Sequence, residues 1–188
     1  MDGPNALEFI KRLHQEGIPV SQQSLNNVKF KGIKLYPPLG YTLSDEAVDK
    51  IFQYANQHKL PVTTHCMSRG GVWTDSLPAS TLVNYTAPCN YAAILKKYPD
   101  MLRLCLAPHF GGNKEWDDYL SGSRHIHLPL EQMDWVSQIV TMMKSGEYPN
   151  LYADISFTMF KYQDYAKPLS LLLLDPNVGS RTLFGSDY

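Results

Sequence analysis

Five short apolar runs, each separated from the next by residues at helical spacing, alternate along this chain, and no hairpin signal such as Asn-Gly joins one run to another. The runs are Phe30 to Leu35, Leu60 to His65, Arg103 to His109, Leu151 to Ile155 and Arg181 to Phe184. Between them, Val48, Ile51, Phe52 and Ala55 recur at helical spacing behind Ser44, expected as the N-cap, with Asp45 and Glu46 in the first turn. A second helix is expected from Pro88 through Tyr91, Ile94 and Leu95 to a break at Pro99, and a short one around Trp116 to Leu120. Two more follow over Glu131 to Ser145 and Tyr162 to Leu174, and Leu7, Ile10 and Leu13 suggest an N-terminal helix that stops near Gly17. Strands alternating with helices call for a parallel sheet with crossover helices. The expected fold class is therefore α/β.

At 188 residues with 44% hydrophobic content, the chain can bury a sizeable core and reads as a single domain over residues 1–188. Seventeen basic residues balance eighteen acidic ones, which leaves no electrostatic footprint for nucleic acid or for an anionic membrane. The expected partner is a small-molecule substrate. Three cysteines, Cys66, Cys89 and Cys105, stand at irregular spacing with no Cys-x-x-Cys pair, against a disulfide framework or a zinc ribbon. With a polar N-terminus and no apolar run long enough to span a bilayer, the expectation is a soluble, cytoplasmic protein.

Three of the runs end in residues that bind metals. His65 and His109 close two of them, and Asp187 follows the last in a Gly-Ser-Asp turn. In a parallel sheet the carboxyl ends of strands are where functional groups gather. Two imidazoles and a carboxylate suit zinc or a harder divalent ion with one position left for water, which is thereby acidified into a usable nucleophile. A lone strand-end histidine is commonly an ordinary surface or core residue, and the spacing is not a local motif. The repetition at three strand ends carries the hypothesis.

Five segments carry a resemblance when taken in order: Lys31-Gly32-Ile33-Lys34-Leu35-Tyr36-Pro37, Pro61-Val62-Thr63-Thr64-His65-Cys66, Ala107-Pro108-His109-Phe110-Gly111-Gly112, Tyr152-Ala153-Asp154-Ile155-Ser156 and Leu183-Phe184-Gly185-Ser186-Asp187-Tyr188. From about Phe30 onward the chain resembles the amidohydrolase superfamily, in particular its "amidohydrolase 2" branch of TIM-barrel metal-dependent hydrolases, which also includes decarboxylases of aromatic and unsaturated acids. The resemblance implies that the five runs are barrel strands four to eight. It makes His65 a metal ligand and His109 a metal ligand or substrate contact. Asp187 becomes a metal ligand that also takes a proton from the bound water.

Family members begin with a strand ending in His-x-His, and nothing before Phe30 offers it. A full barrel needs about 250 residues, so the expectation is a partial (β/α)8 barrel lacking strands one to three. The single His-x-His, His125-Ile126-His127, falls between strands six and seven and is expected in a loop or at the start of a helix.

Further candidates are weaker. If Ile33 and Leu35 face helices, Lys34 faces the barrel interior, to meet a substrate anion or serve as a carbamylated ligand, unless it reaches for solvent. Tyr36 and Arg69 follow strands four and five and suit a carboxylate or phenol-like substrate, or are loop surface. Trp73, Trp116 and Trp135 line a pocket or pack. Cys66 alternates with His65, so the two point to opposite faces and form no nucleophilic pair.

The leading expectation is a metal-dependent hydrolase, with a non-oxidative decarboxylase on the same site as the alternative. A third possibility is a silent fragment or interaction module, since five strands of a barrel leave two edges open to a homo-oligomer or a strand-pairing partner.

Overall fold

The computed structural model describes residues 3–19, 27–68, 77–100, 103–107, 110, 112–122, 128–156 and 162–185. Helix α1 (Gly3–Gln15) leads into a small antiparallel ribbon in which β1 (Ile18–Pro19) pairs with β2 (Asn27–Val28). The sequence from Asn26 reads as a loop leading into the strand at Phe30, whereas the structure places β2 there. Strands of two residues have no periodicity to read.

Beyond it lies one parallel sheet of five strands in sequential order. They are β3 (Ile33–Leu35), β4 (Val62–His65), β5 (Leu104–Ala107), β6 (Leu151–Asp154) and β7 (Thr182–Leu183). The crossovers carry α2 (Glu46–His58), then α3 (Ala79–Tyr85) with α4 (Tyr91–Lys97), then α5 (Asn113–Ser121) with α6 (Trp135–Lys144), and last α7 (Tyr162–Leu173) with α8 (Pro176–Gly179). The fold is α/β, as expected, and its order and direction match part of a (β/α)8 barrel. Among the described residues no helix is long and apolar enough to cross a membrane.

Register divides the sheet into two faces. One set of aligned positions runs Ile33, Val62, Leu104, Leu151, and a second runs Leu35, Thr64, Leu106, Ala153, Thr182. Val62, Leu104, Leu106, Leu151 and Ala153 are all buried and join one core cluster with Phe52, Ala55, Tyr91, Val136, Ile139 and Met142 from the covering helices. Thr64, the polar member, shares a buried 2.7 Å hydrogen bond with the Tyr91 hydroxyl on α4. The positions between these rows, Lys34, Thr63, Cys105 and Tyr152, are aligned with each other on the opposite face.

The helices follow the expected spacing with shifted ends. Asp45, not Ser44, is the N-cap residue of α2, and its carboxylate accepts from Thr42 N–H and Thr42 Oγ1, both at 2.8 Å. The expected Ser44 cap is thus displaced by one residue, because the Asp45 carboxylate turns back to close the preceding turn. Asp134 caps α6 by accepting from Ser137 N–H at 2.9 Å. Helix α3 and the short α8 went unanticipated, the first within a polar segment and the second behind Asp175-Pro176.

The last strand also differs from expectation. A buried run from Arg181 to Phe184 was expected, yet β7 covers Thr182–Leu183 only, both half-buried, and Phe184 is 76% exposed. Arg181 lies just before the strand, its guanidinium donating to the carbonyls of Tyr148, Met143 and Asn177 while its own carbonyl accepts from Ala153 N–H at 3.1 Å. At this edge of the sheet the strand has one neighbour, β6.

Candidate active site

Strand β4 delivers His65 at its carboxyl end, on the face away from the covering helices. The imidazole is 7% exposed, and its Nε2 is buried with no hydrogen-bond partner among the described residues. Burial, helped by the nearby Lys34 ammonium, pushes His65 down to about 4, so the ring is neutral at physiological pH. A neutral imidazole with an unsatisfied buried nitrogen is in the form that a divalent ion requires. His65 by itself is thus in the form that a metal ligand takes.

Tyr36 lies against His65, with ring centroids 4.4 Å apart and planes tilted by 33°. Its backbone is held in turn by the Tyr41 hydroxyl, which accepts from Tyr36 N–H. Directly after Tyr36 the chain turns through Pro37–Leu39, and Gly40 closes that turn in the left-handed region at φ 99°. Lys34 aligns with Thr63 and Cys105 while Ile33 and Leu35 pack toward the core, so it belongs to the same face as His65. Cys66 has the opposite fate: fully buried in the core, its thiol is raised well above its ordinary value, first by burial and then by Glu115. It forms no pair with His65.

Asp154 ends β6 one residue beyond the Leu106 and Ala153 pairing, level with Ala107, which is itself paired with His65. Its Oδ1 accepts from Ser156 N–H at 3.1 Å and from Ser156 Oγ at 2.5 Å. A β carbon at Gly185 would come within 3.3 Å of Ser156 Cβ and 3.6 Å of Asp154 Oδ2, so this aspartate sits against the turn that carries the chain out of β7. Cys105, between Lys34 and Asp154 in the electrostatics of this face, is pushed up to about 12 by burial and by Asp154, with Lys34 opposing.

Strand β5 ends at Ala107, and the chain beyond it takes positive φ at Phe110 (φ 53°) and Gly112 (φ 99°). For a bulky residue such as phenylalanine this conformation is strained by about 1–2 kcal/mol. Phe110 is held there by complete burial against Trp116, 6.2 Å away edge to face, and Trp116 stacks in turn on Tyr165 at 5.5 Å. Trp116 packs in the core, and Trp135 packs partly buried against it.

His109, Asp187 and Arg69 lie outside the described residues, as do Trp73, His125 and His127. Among the described residues no group of three or more His, Cys, Asp or Glu side chains could hold a metal ion. The structure thus brings together His65, Tyr36 and Lys34 of the expected set. It adds two carboxylates that sequence reasoning left without a role: Asp154, in a quoted motif, and Glu115, buried at the start of α5. For Asp154 a signal existed, a second acidic residue at a strand end. Glu115 had none, since its partner Ser68 lies 47 residues away in sequence.

A family model described as amidohydrolase matches residues 21–188. No curated protein matches the chain. The match spans the whole parallel sheet and both strand ends described above, and members of that family generally use divalent metals. The chain belongs to the amidohydrolase family.

Proposed function

We propose that this chain carries part of the active site of a hydrolase acting on a small molecule, with His65 as a ligand to a divalent ion, most simply zinc. The observation that carries the reading is the buried, neutral imidazole of His65 at the carboxyl end of a parallel strand, its Nε2 without a partner among the described residues. His109 and Asp187 complete the ligand set contributed by this chain, and Asp187 is also the group that takes a proton from the attacking water. When bound, the ion would lower the pKa of water toward neutrality and polarise the scissile bond.

The remaining residues bind and orient. Tyr36 keeps water away from one side of the His65 ring and offers an aromatic surface to the substrate. Lys34 supplies positive charge to the same face, which favours a substrate bearing a carboxylate or one that develops negative charge in reaction. Arg69, which follows β4 in the sequence, would bind the same kind of anionic substrate. A cation and an aromatic ring that both lie near His65 also suit an aromatic or unsaturated acid, and that arrangement favours a non-oxidative decarboxylase as the second reading. Release of carbon dioxide from such acids would select it, whereas an acid plus an amine or alcohol would select hydrolysis.

Metal analysis of the chain purified without chelator tests the shared part of both readings. A divalent ion retained by the parent and lost from His65→Ala supports them. Equal metal content in parent and variant contradicts them.

A further inference from the structure

The three residues that follow His65 are each held by a different element. Cys66 N–H donates to Ala107 O at 2.7 Å, across to the end of β5. Met67 O accepts from Thr86 Oγ1 at 3.2 Å, at the end of α3. Ser68 N–H donates to Glu115 Oε1 at 3.2 Å, in the first turn of α5. The first two holds are a backbone ladder and a neutral hydroxyl, but the third uses a carboxylate that is only 3% exposed.

A buried carboxylate is an expensive way to make one hydrogen bond. Glu115 Oε2 has no partner among the described residues, and burial raises the carboxyl above its ordinary value with Ser68 pulling the other way. Stability alone gives no reason for a buried polar side chain with one oxygen left over here. Its location does. A β carbon at Gly112 would lie 2.9 Å from Met67 Cγ and 3.0 Å from Glu115 Oε2, in a backbone conformation (φ 99°) that favours glycine. The segment leaving β4 and the segment leaving β5 therefore cross at van der Waals distance, and Glu115 is the side chain that ties them. One segment begins at His65 and the other contains His109.

We propose that Glu115 is a positioning residue, whose carboxylate fastens the loop that leaves His65 to the start of α5 and so fixes how His65 is presented. The inference rests on the metal-site reading for its purpose, but the tether has its own readout. Glu115 touches neither substrate nor metal in this role. Glutamine keeps an acceptor for Ser68 N–H, alanine removes it, and aspartate withdraws it by one methylene.

The test uses the full chain and its Glu115→Ala, Glu115→Gln and Glu115→Asp variants. Amide hydrogen exchange is read at Cys66 to Ser68, and cobalt(II) uptake is followed by its visible absorption. Loss of one hydrogen bond of this kind corresponds to about tenfold in an equilibrium. Glu115→Ala is expected to speed exchange at Ser68 about tenfold and to weaken cobalt binding by a similar factor, with Glu115→Gln restoring both. Should the alanine variant fail to fold, Glu115→Asp is expected to show the same loss at Ser68. Unchanged exchange at Ser68 in every folded variant overturns the tether, and so does a glutamine variant as impaired as the alanine one. Normal cobalt binding in a variant whose Ser68 is deprotected overturns the positioning role. A parent chain that takes up no cobalt contradicts the metal reading instead, and the exchange at Ser68 still decides the tether.

Discussion

The two faces of the parallel sheet share the same strands and differ in everything else. Toward the helices stand Leu35, Val62, Leu104, Leu106, Leu151 and Ala153, each at most 5% exposed. Toward the other side stand Lys34, Thr63, His65, Cys105, Tyr152 and Asp154, which are polar, titratable or both. The period of two in a strand is what permits this, since adjacent residues serve unrelated tasks with no compromise in backbone. One face holds the fold together, and the other is left to chemistry.

Substitutions should separate along the same line. The largest effect is expected from Leu106→Ala, which empties a fully buried site between the sheet and its helices. Denaturant unfolding should show a loss of about 3 kcal/mol. Next comes Tyr91→Phe, which leaves the buried Thr64 hydroxyl without its partner and should lower stability by about 1–2 kcal/mol.

Glu115→Gln should act in the opposite direction and only above acid pH. Because burial raises the Glu115 carboxyl in the folded state, the parent loses stability as pH rises from the ordinary carboxyl value of about 4.3 through the raised one. Glutamine has no such dependence. The variant should therefore match the parent near pH 4 and exceed it at neutral pH, by about 1 kcal/mol or less. Thermal unfolding at several pH values would show a gap that widens upward, and a gap that widens downward would contradict the assignment.

The smallest effect on folding is expected from Lys34→Gln, within about 0.5 kcal/mol, since Lys34 is exposed and packs into no core. The same change should weaken binding of an anionic substrate. If Lys34→Gln destabilised the chain as much as Leu106→Ala, the division between the faces would fail.

Much of this division was legible in the sequence. Ile33, Lys34 and Leu35 alternate as a half-buried strand does, and His65 and Cys66 were placed on opposite faces from adjacency alone. Local pattern carries such information because strand and helix periods are set by the backbone. Features decided by distant contacts were not legible. The Glu115 to Ser68 bond and the capture of Arg181 by the Tyr148 and Met143 carbonyls depend on segments far apart in the chain. Boundaries were the intermediate case, as when Asp45 took the position expected of Ser44 and Arg181 fell outside its strand.

The central claim is that His65 is a ligand on the chemical face of the sheet, and its own nitrogen reports it most directly. With the chain labelled by nitrogen-15 in histidine, zinc is added to one equivalent and the His65 imidazole resonances are followed by NMR. The account requires the Nε2 resonance of His65 to move from its neutral, unbound position to a metal-bound one as zinc is taken up, with the ring remaining neutral before addition at pH 7. Zinc bound tightly while His65 Nε2 stays where it was would contradict it.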